Sequence, residues 1–186
     1  MAVQIIHWNA RGILNNLDDI MEIIQEFNPR LFCVQETHLK TSNTNFLTHY
    51  TVFRKDRDDG QTASGGMAPR TVACRHLHLQ TNLEAVAVRA ILFDRLVTVC
   101  SLYVPPEHRL ALTELHTLVN QLPEPFIITG DLNAHNMLWG DSRCDARGRT
   151  VEDFLLCSGA VLLNKKEPTF YSATHKSYSS IVLTIA

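Results

Sequence analysis

Four apolar runs in this chain each stop on a polar residue that packing does not require. Val3 to Trp8 ends at Asn9, and Leu31-Phe32-Cys33-Val34 runs into Gln35-Glu36-Thr37-His38. Leu96 to Tyr103 ends in Val104-Pro105-Pro106, and Phe126 to Thr129 runs into Gly130-Asp131-Leu132-Asn133-Ala134-His135. A short continuous apolar run reads as a strand buried on both faces. Gly130 is expected to let the backbone turn there, leaving Asp131 and Asn133 just past a core strand. Ligands of open α/β proteins sit at such carboxyl ends of strands.

If those ends lie together, Asn9, Glu36, Tyr103, Asp131 and Asn133 place two carboxylates, two amides and a phenol in one cleft. Carboxylate and amide oxygens suit a hard cation such as Mg²⁺, which keeps several waters and takes few protein ligands. Taken singly, each residue has an ordinary reading. Glu36 after a strand is a surface carboxylate, Asn133 a turn residue, and Asp131 beside Gly130 turn chemistry. The functional reading rests on all five together.

The motifs Trp8-Asn9, Gln35-Glu36-Thr37, Leu102-Tyr103-Val104-Pro105-Pro106 and Gly130-Asp131-Leu132-Asn133-Ala134-His135 resemble the exonuclease–endonuclease–phosphatase superfamily. Ser64-Gly65-Gly66, Leu138-Trp139-Gly140, Asp145-Ala146-Arg147-Gly148-Arg149 and Ser180-Ile181-Val182-Leu183-Thr184 narrow it to the endonuclease domain of non-LTR (LINE-type) retrotransposons. Each motif alone is weak; their order from one end of the chain to the other makes the resemblance specific. It implies an α+β fold, a four-layer α/β/β/α sandwich of the DNase I-like kind, as one domain over residues 1–186. It also implies a role for each residue. Glu36 would bind Mg²⁺, with Mn²⁺ as the alternative ion, and Asn9 would help position metal and phosphate. Asp131 would orient and deprotonate the attacking water. Asn133 would hold Asp131 and a phosphate oxygen, and Tyr103 would donate to the phosphate. The substrate implied is DNA, nicked to prime reverse transcription, with a reverse transcriptase downstream in a full-length element. The place of action implied is nuclear.

One departure bears on activity. The family's late motif reads Ser-x-Ile-Asp-Leu-Thr, and Val182 stands at the Asp position. In the family that Asp orients a catalytic His of a later Ser-Asp-His motif, and this chain stops at Ala186 before any such motif. The fold is therefore expected to be C-terminally truncated. Losing a general acid–base group costs about 10²–10⁴ in rate, so activity near background is expected. Two alternatives stay open: a non-catalytic remnant that only binds nucleic acid or a partner, and a phosphodiesterase or phosphatase of the same superfamily with another substrate.

Composition limits the rest. A chain of 186 residues, 45% hydrophobic and 19% charged, supports a globular core. No apolar run reaches membrane-spanning length, and the N-terminus has no secretory pattern. Five scattered cysteines suggest a reduced, intracellular protein. A net charge of −2 argues against a charge-driven, histone-like binder but leaves room for a local basic patch. Arg143, Arg147 and Arg149 could supply one, or could lie in an ordinary solvated loop. His76 and His78 form an H-x-H whose simpler reading is an exposed strand face. His135 could touch DNA or pack its loop, and His175 is read as solvated.

Helical spacing predicts a helix from Leu17 to Phe27, stopped by Asn28-Pro29. A second is expected from about Glu107 to Leu122, and a third opened by a Thr150/Asp153 capping box and closed at Gly159. The stretch around Ala85–Ala90 and Leu96–Tyr103 reads as an antiparallel meander. Val161–Leu163 and Ser180–Ile185 are the last strand candidates.

Overall fold

A computed structural model describes residues 5–40, 47, 49–56, 63–70, 74–92 and 94–186. Strand β1 (Ile5–Asn9) leads through a short 3₁₀ turn and helix α1 (Leu17–Phe27) into strand β2 (Leu31–Gln35). The helix ends where expected, because Asn28 takes a left-handed conformation and its N–H closes on the Ile24 carbonyl at 2.9 Å. β1 and β2 pair in parallel, with Ile5 opposite Leu31 and Asn9 opposite Gln35. This is a βαβ unit, and both strands point their carboxyl ends the same way. Strands β3 (Phe53–Asp56) and β4 (Ala63–Pro69) complete a four-stranded sheet in the order β1-β2-β4-β3.

The second sheet opens with the expected meander: β5 (Cys74–Leu77), β6 (Glu84–Leu92) and β7 (Arg95–Tyr103). Helix α2 (Leu112–Val119) then crosses to β8 (Phe126–Asp131), which pairs in parallel with β7, and β11 (Val182–Ile185) pairs antiparallel with β8. The order is β11-β8-β7-β6-β5. Helix α3 (Ala146–Ser158) and a small hairpin, β9 (Phe170–Ser172) with β10 (Ser177–Ser179), lie between β8 and β11.

Three apolar clusters define four layers. Ile20 of α1 packs on Phe32, Val34 and Ala68 of the first sheet. Cys33 and Met67 meet Val86, Val88 and Val99 between the two sheets. Cys100, Leu102, Ile128 and Leu183 pack on Leu115 and Leu118 of α2 and Val151 and Phe154 of α3. β8 is buried on both faces as the sequence suggests, since Ile127 serves the inter-sheet cluster and Ile128 the helix-side cluster.

Several expectations need correction. Gly130 does not turn the chain; it lies inside β8, where a Cβ would come within 1.7 Å of the Leu102 carbonyl oxygen. Its role is close approach of backbone to backbone. α2 starts at Leu112 rather than near Glu107, because Ala111 is extended and its N–H is taken by the Glu114 carboxylate at 2.8 Å. α3 starts at Ala146, ahead of Thr150, because Asp145 caps it by accepting from the Gly148 N–H at 2.6 Å. Gly159 closes α3 as expected, at φ +72°. Val161–Leu163 contributes only a bridge from Leu162 to Ile185.

Candidate active site

The site comes from the two parallel pairs. Each has two strands whose carboxyl ends lie side by side, and the sheets face each other. Asn9 is the last residue of β1, Glu36 follows β2, Tyr103 ends β7, and Asp131 ends β8. All five expected residues meet there. The Asn9 amide nitrogen donates to Glu36 Oε1 at 2.8 Å and to Asp131 Oδ2 at 3.1 Å, bridging the sheets. The Tyr103 hydroxyl donates to Glu36 Oε1 at 2.9 Å. The Asn133 N–H donates to Asp131 Oδ1 at 3.0 Å, and its side-chain amide donates to the Val104 carbonyl at 3.1 Å.

The chain is bent into place on both sides. Arg11, Glu36 and Asn133 line the cleft and carry φ values of 44°, 48° and 48°. A left-handed conformation is unfavourable for a glutamate and marks stored strain. Backbone bonds hold it: Gly12 N–H to Glu36 O at 2.7 Å and Ile13 N–H to Thr37 O at 3.0 Å. Beneath the site the buried Gln35 amide donates to Ser101 Oγ at 2.6 Å, tying β2 to β7.

Electrostatics follow from burial. Desolvation pushes the Asp131 carboxyl above the usual carboxylate range, and the Glu36 charge adds to it. The bonds from Asn9 and Asn133 and the Arg11 charge work against that rise. Desolvation and then the Glu36 bond push the Tyr103 phenol far up, so it stays a donor. Two carboxylates thus share one amide donor, and Glu36 Oε2 has no hydrogen bond among the described residues. No group of three or more His, Cys, Asp or Glu side chains that could hold a metal converges among those residues. The donor set fits a hard dication that keeps most of its waters rather than a closed nitrogen–sulfur cage.

The remaining motifs mostly build the loops around this cleft. Trp139 is buried and donates to the Ala134 carbonyl at 3.1 Å. Arg147 lines a hollow beside the cleft with Arg109 and Arg143, but its Nη groups are occupied. Its guanidinium donates to the carbonyls of Leu132, Asn133, Pro105, Pro106 and His108 at 2.7–3.3 Å, locking the loops after β7 and β8 together. Gly148 sits against the His135 carbonyl, where a Cβ would come within 1.9 Å. Arg143 lies at the cleft itself and Arg149 is exposed on α3. His76 stacks on Phe53 at 5.0 Å and meets His78 edge-on, a packed strand face. His175 is exposed. Val182 pairs with Asp131 and lines a hollow with Asn9 and Asp131.

Sequence reading missed Arg11 and the pairing of His135 with Asp141 at 2.7 Å. Asp141 lies six residues past His135, beyond a buried Trp, and nothing in the local pattern marks it as buried.

Known proteins share sequence and fold with this chain. The profile of an endonuclease–reverse transcriptase family matches residues 97–186. The RNA-directed DNA polymerase from mobile element jockey of Drosophila melanogaster is 26% identical over 180 residues, covering 89% of this chain and 18% of the relative. A probable RNA-directed DNA polymerase from transposon X-element of the same species is 26% identical over 182 residues, covering 92% of this chain and 19% of the relative. The chain thus spans about a fifth of these relatives. Among solved structures, the endonuclease domain of TRAS1, a telomere-specific non-LTR retrotransposon, superposes with a TM-score of 0.83 at 21% identity, over 100% of this chain and 85% of that one. An AP endonuclease from Archaeoglobus fulgidus gives a TM-score of 0.70 at 16% identity, over 98% of this chain and 86% of that one. The fold is the DNase I-like α+β sandwich, and the chain is similar to the endonuclease–reverse transcriptase family over residues 97–186 and to the non-LTR retrotransposon proteins over most of its length.

Proposed function

We propose that this domain is a Mg²⁺-dependent endonuclease that nicks DNA, and that in a full element the nick primes reverse transcription by a downstream polymerase. The observation that carries the reading is the Asn9 bridge between Glu36 and Asp131, with Tyr103 on the same Glu36 oxygen. Phosphodiester hydrolysis needs developing charge neutralised and a water placed in line. Glu36, with Asn9 beside it, would hold Mg²⁺, which supplies charge neutralisation at the phosphate; Mn²⁺ fits the same donors. Asp131, kept basic by burial and oriented by Asn9 and Asn133, accepts the proton of the attacking water. Tyr103, held protonated, donates toward a phosphate oxygen. Asn133 fixes the Asp131 rotamer.

Val182 supports a weak enzyme. The position beside Asp131 where the resemblance places a carboxylate carries a side chain that neither accepts nor donates a hydrogen bond. The test is nicking of supercoiled plasmid in Mg²⁺ against EDTA, with Glu36→Ala as control. Slow nicking that needs Mg²⁺ and vanishes in Glu36→Ala is expected. If wild type and Glu36→Ala match both in nicking and in Mg²⁺-induced thermal shift, the reading falls.

A further inference from the structure

The acidic cleft opens beside a second hollow, and Arg143 and His135 line both. The cleft is about 590 Å³ and its neighbour about 720 Å³. Arg143 is exposed, yet it is not a free surface arginine. Its Nη2 lies 3.1 Å from His135 Nε2, and His135 Nδ1 lies 2.7 Å from Asp141 Oδ2. A guanidinium can only donate and a carboxylate can only accept. The imidazole is therefore protonated at Nδ1 and accepts from Arg143 at Nε2. The base of this chain is rigid. The Asp141 side chain is 3% exposed and also accepts from the N–H groups of Ser180 at 3.3 Å and Ser142 at 2.9 Å. The His135 backbone is pinned by Asp145, which accepts from its N–H at 3.3 Å. The remaining N–H groups of Arg143 have no partner among the described residues.

We propose that Arg143 is a phosphate-binding residue for the DNA strand as it passes from the catalytic cleft into the neighbouring hollow, and that His135 and Asp141 are positioning residues that fix its guanidinium there. The inference rests on the nuclease reading above. Three features favour a phosphate ligand. The planar fork matches phosphate oxygens and loses less freedom on binding when it is already held. The neighbouring hollow has the opposite character to the cleft: Arg109 and Arg143 are open, whereas Arg147 is spent on carbonyls and Asp145 on two N–H groups. A chain of net charge −2 needs such a local cation to hold a polyanion next to two carboxylates.

The test is fluorescence anisotropy of a fluorescein-labelled DNA duplex of about 20 base pairs, in EDTA so that no strand is cut, across roughly 50–200 mM salt. Arg143→Ala is expected to weaken binding about tenfold and to flatten the slope of log K against log salt by about 0.9, the loss of one phosphate contact. Arg95→Ala is the control; it lies at the other end of β7 from Tyr103, about 26 Å away at ~3.3 Å per residue, and should leave both quantities unchanged. His135→Ala should weaken binding severalfold in the wild-type background and add nothing to Arg143→Ala, because it acts only through Arg143. Additive losses would overturn the positioning role. Wild-type binding that Arg143→Ala leaves intact would overturn the proposal and spare the nuclease reading. A wild type that binds no duplex at any of these salts would overturn the proposal, and the Mg²⁺ nicking assay would still decide the nuclease reading separately.

Discussion

At the scale of the residue, the site is an arrangement of shared donors. Asn9 serves two carboxylates from two sheets, so its loss is felt by both. Asn9→Ala leaves Glu36 and Asp131 with no amide between them, weakening the hold on a dication and misplacing Asp131. Removing one preorganised electrostatic group costs about 10²–10³ in rate. Mg²⁺-dependent plasmid nicking should fall by at least that lower figure, while circular dichroism stays native. Nicking within threefold of wild type would show that the bridge is incidental. Val182→Asp is expected to restore nothing by itself: it adds a third carboxylate next to Asp131 and raises the cost of charging that group. A nicking rate well above wild type would show that the missing carboxylate alone limits the enzyme.

At the scale of the element, the strand ends were legible and the close contacts were not. Apolar runs identified β1, β2, β7 and β8, and the polar residues ending the runs marked the site because carboxylates, amides and a phenol recur at these strand ends together. β4 escaped notice because Ala-Ser-Gly-Gly-Met-Ala-Pro has little strand propensity; its neighbours make it a strand, pairing it with β2 and β3. The β9–β10 hairpin escaped because three-residue strands rich in Ser have no apolar alternation, although Tyr171 and Tyr178 face each other at 4.8 Å. The helix starts moved because Glu114 and Asp145 cap from positions that local spacing does not single out. From sequence Gly130 reads as a turn because glycine's lack of a side chain matters equally for bending and for close approach, and only the register with Leu102 separates them. Gly130→Ala would drive a methyl into the Leu102 carbonyl and part β7 from β8. Overpacking of a rigid backbone contact should cost about 3 kcal/mol, read as a lower urea midpoint at unchanged slope. An unchanged midpoint would mean that the strands can separate without loss. Arg147→Lys should cost a similar ~2–3 kcal/mol, because an ammonium cannot serve five carbonyls and some would be left buried without a donor. Wild-type stability of that variant would reduce Arg147 to a bystander.

At the scale of the whole molecule, the inter-sheet layer couples stability to pH. His7 lies on β1 two residues before Asn9, and its Nε2 is buried with no hydrogen bond among the described residues. Burial pushes its imidazole down from 6.5 to about 4, although Gln35 beside it favours the charged form. The folded state therefore binds a proton less readily than the unfolded chain. Stability from a neutral His7 is complete above about pH 6.5 and is lost as pH falls from there toward 4. Over that window the loss is roughly 3 kcal/mol, a sizeable part of the 5–15 kcal/mol that holds a typical domain. Asp131 acts in the opposite sense: its raised pKa means that the folded state gains from protonating it, and that gain disappears as pH rises through its shifted value. The two effects oppose each other wherever the Asp131 carboxyl titrates. Above the Asp131 transition, the downward slope toward acid belongs to His7. The melting temperature in EDTA should thus start to fall as pH drops below 6.5, and His7→Gln should flatten that fall while leaving the neutral-pH fold intact. A variant whose melting temperature tracks wild type at every pH would show that His7 is not the group that acid first forces into the gap between the sheets.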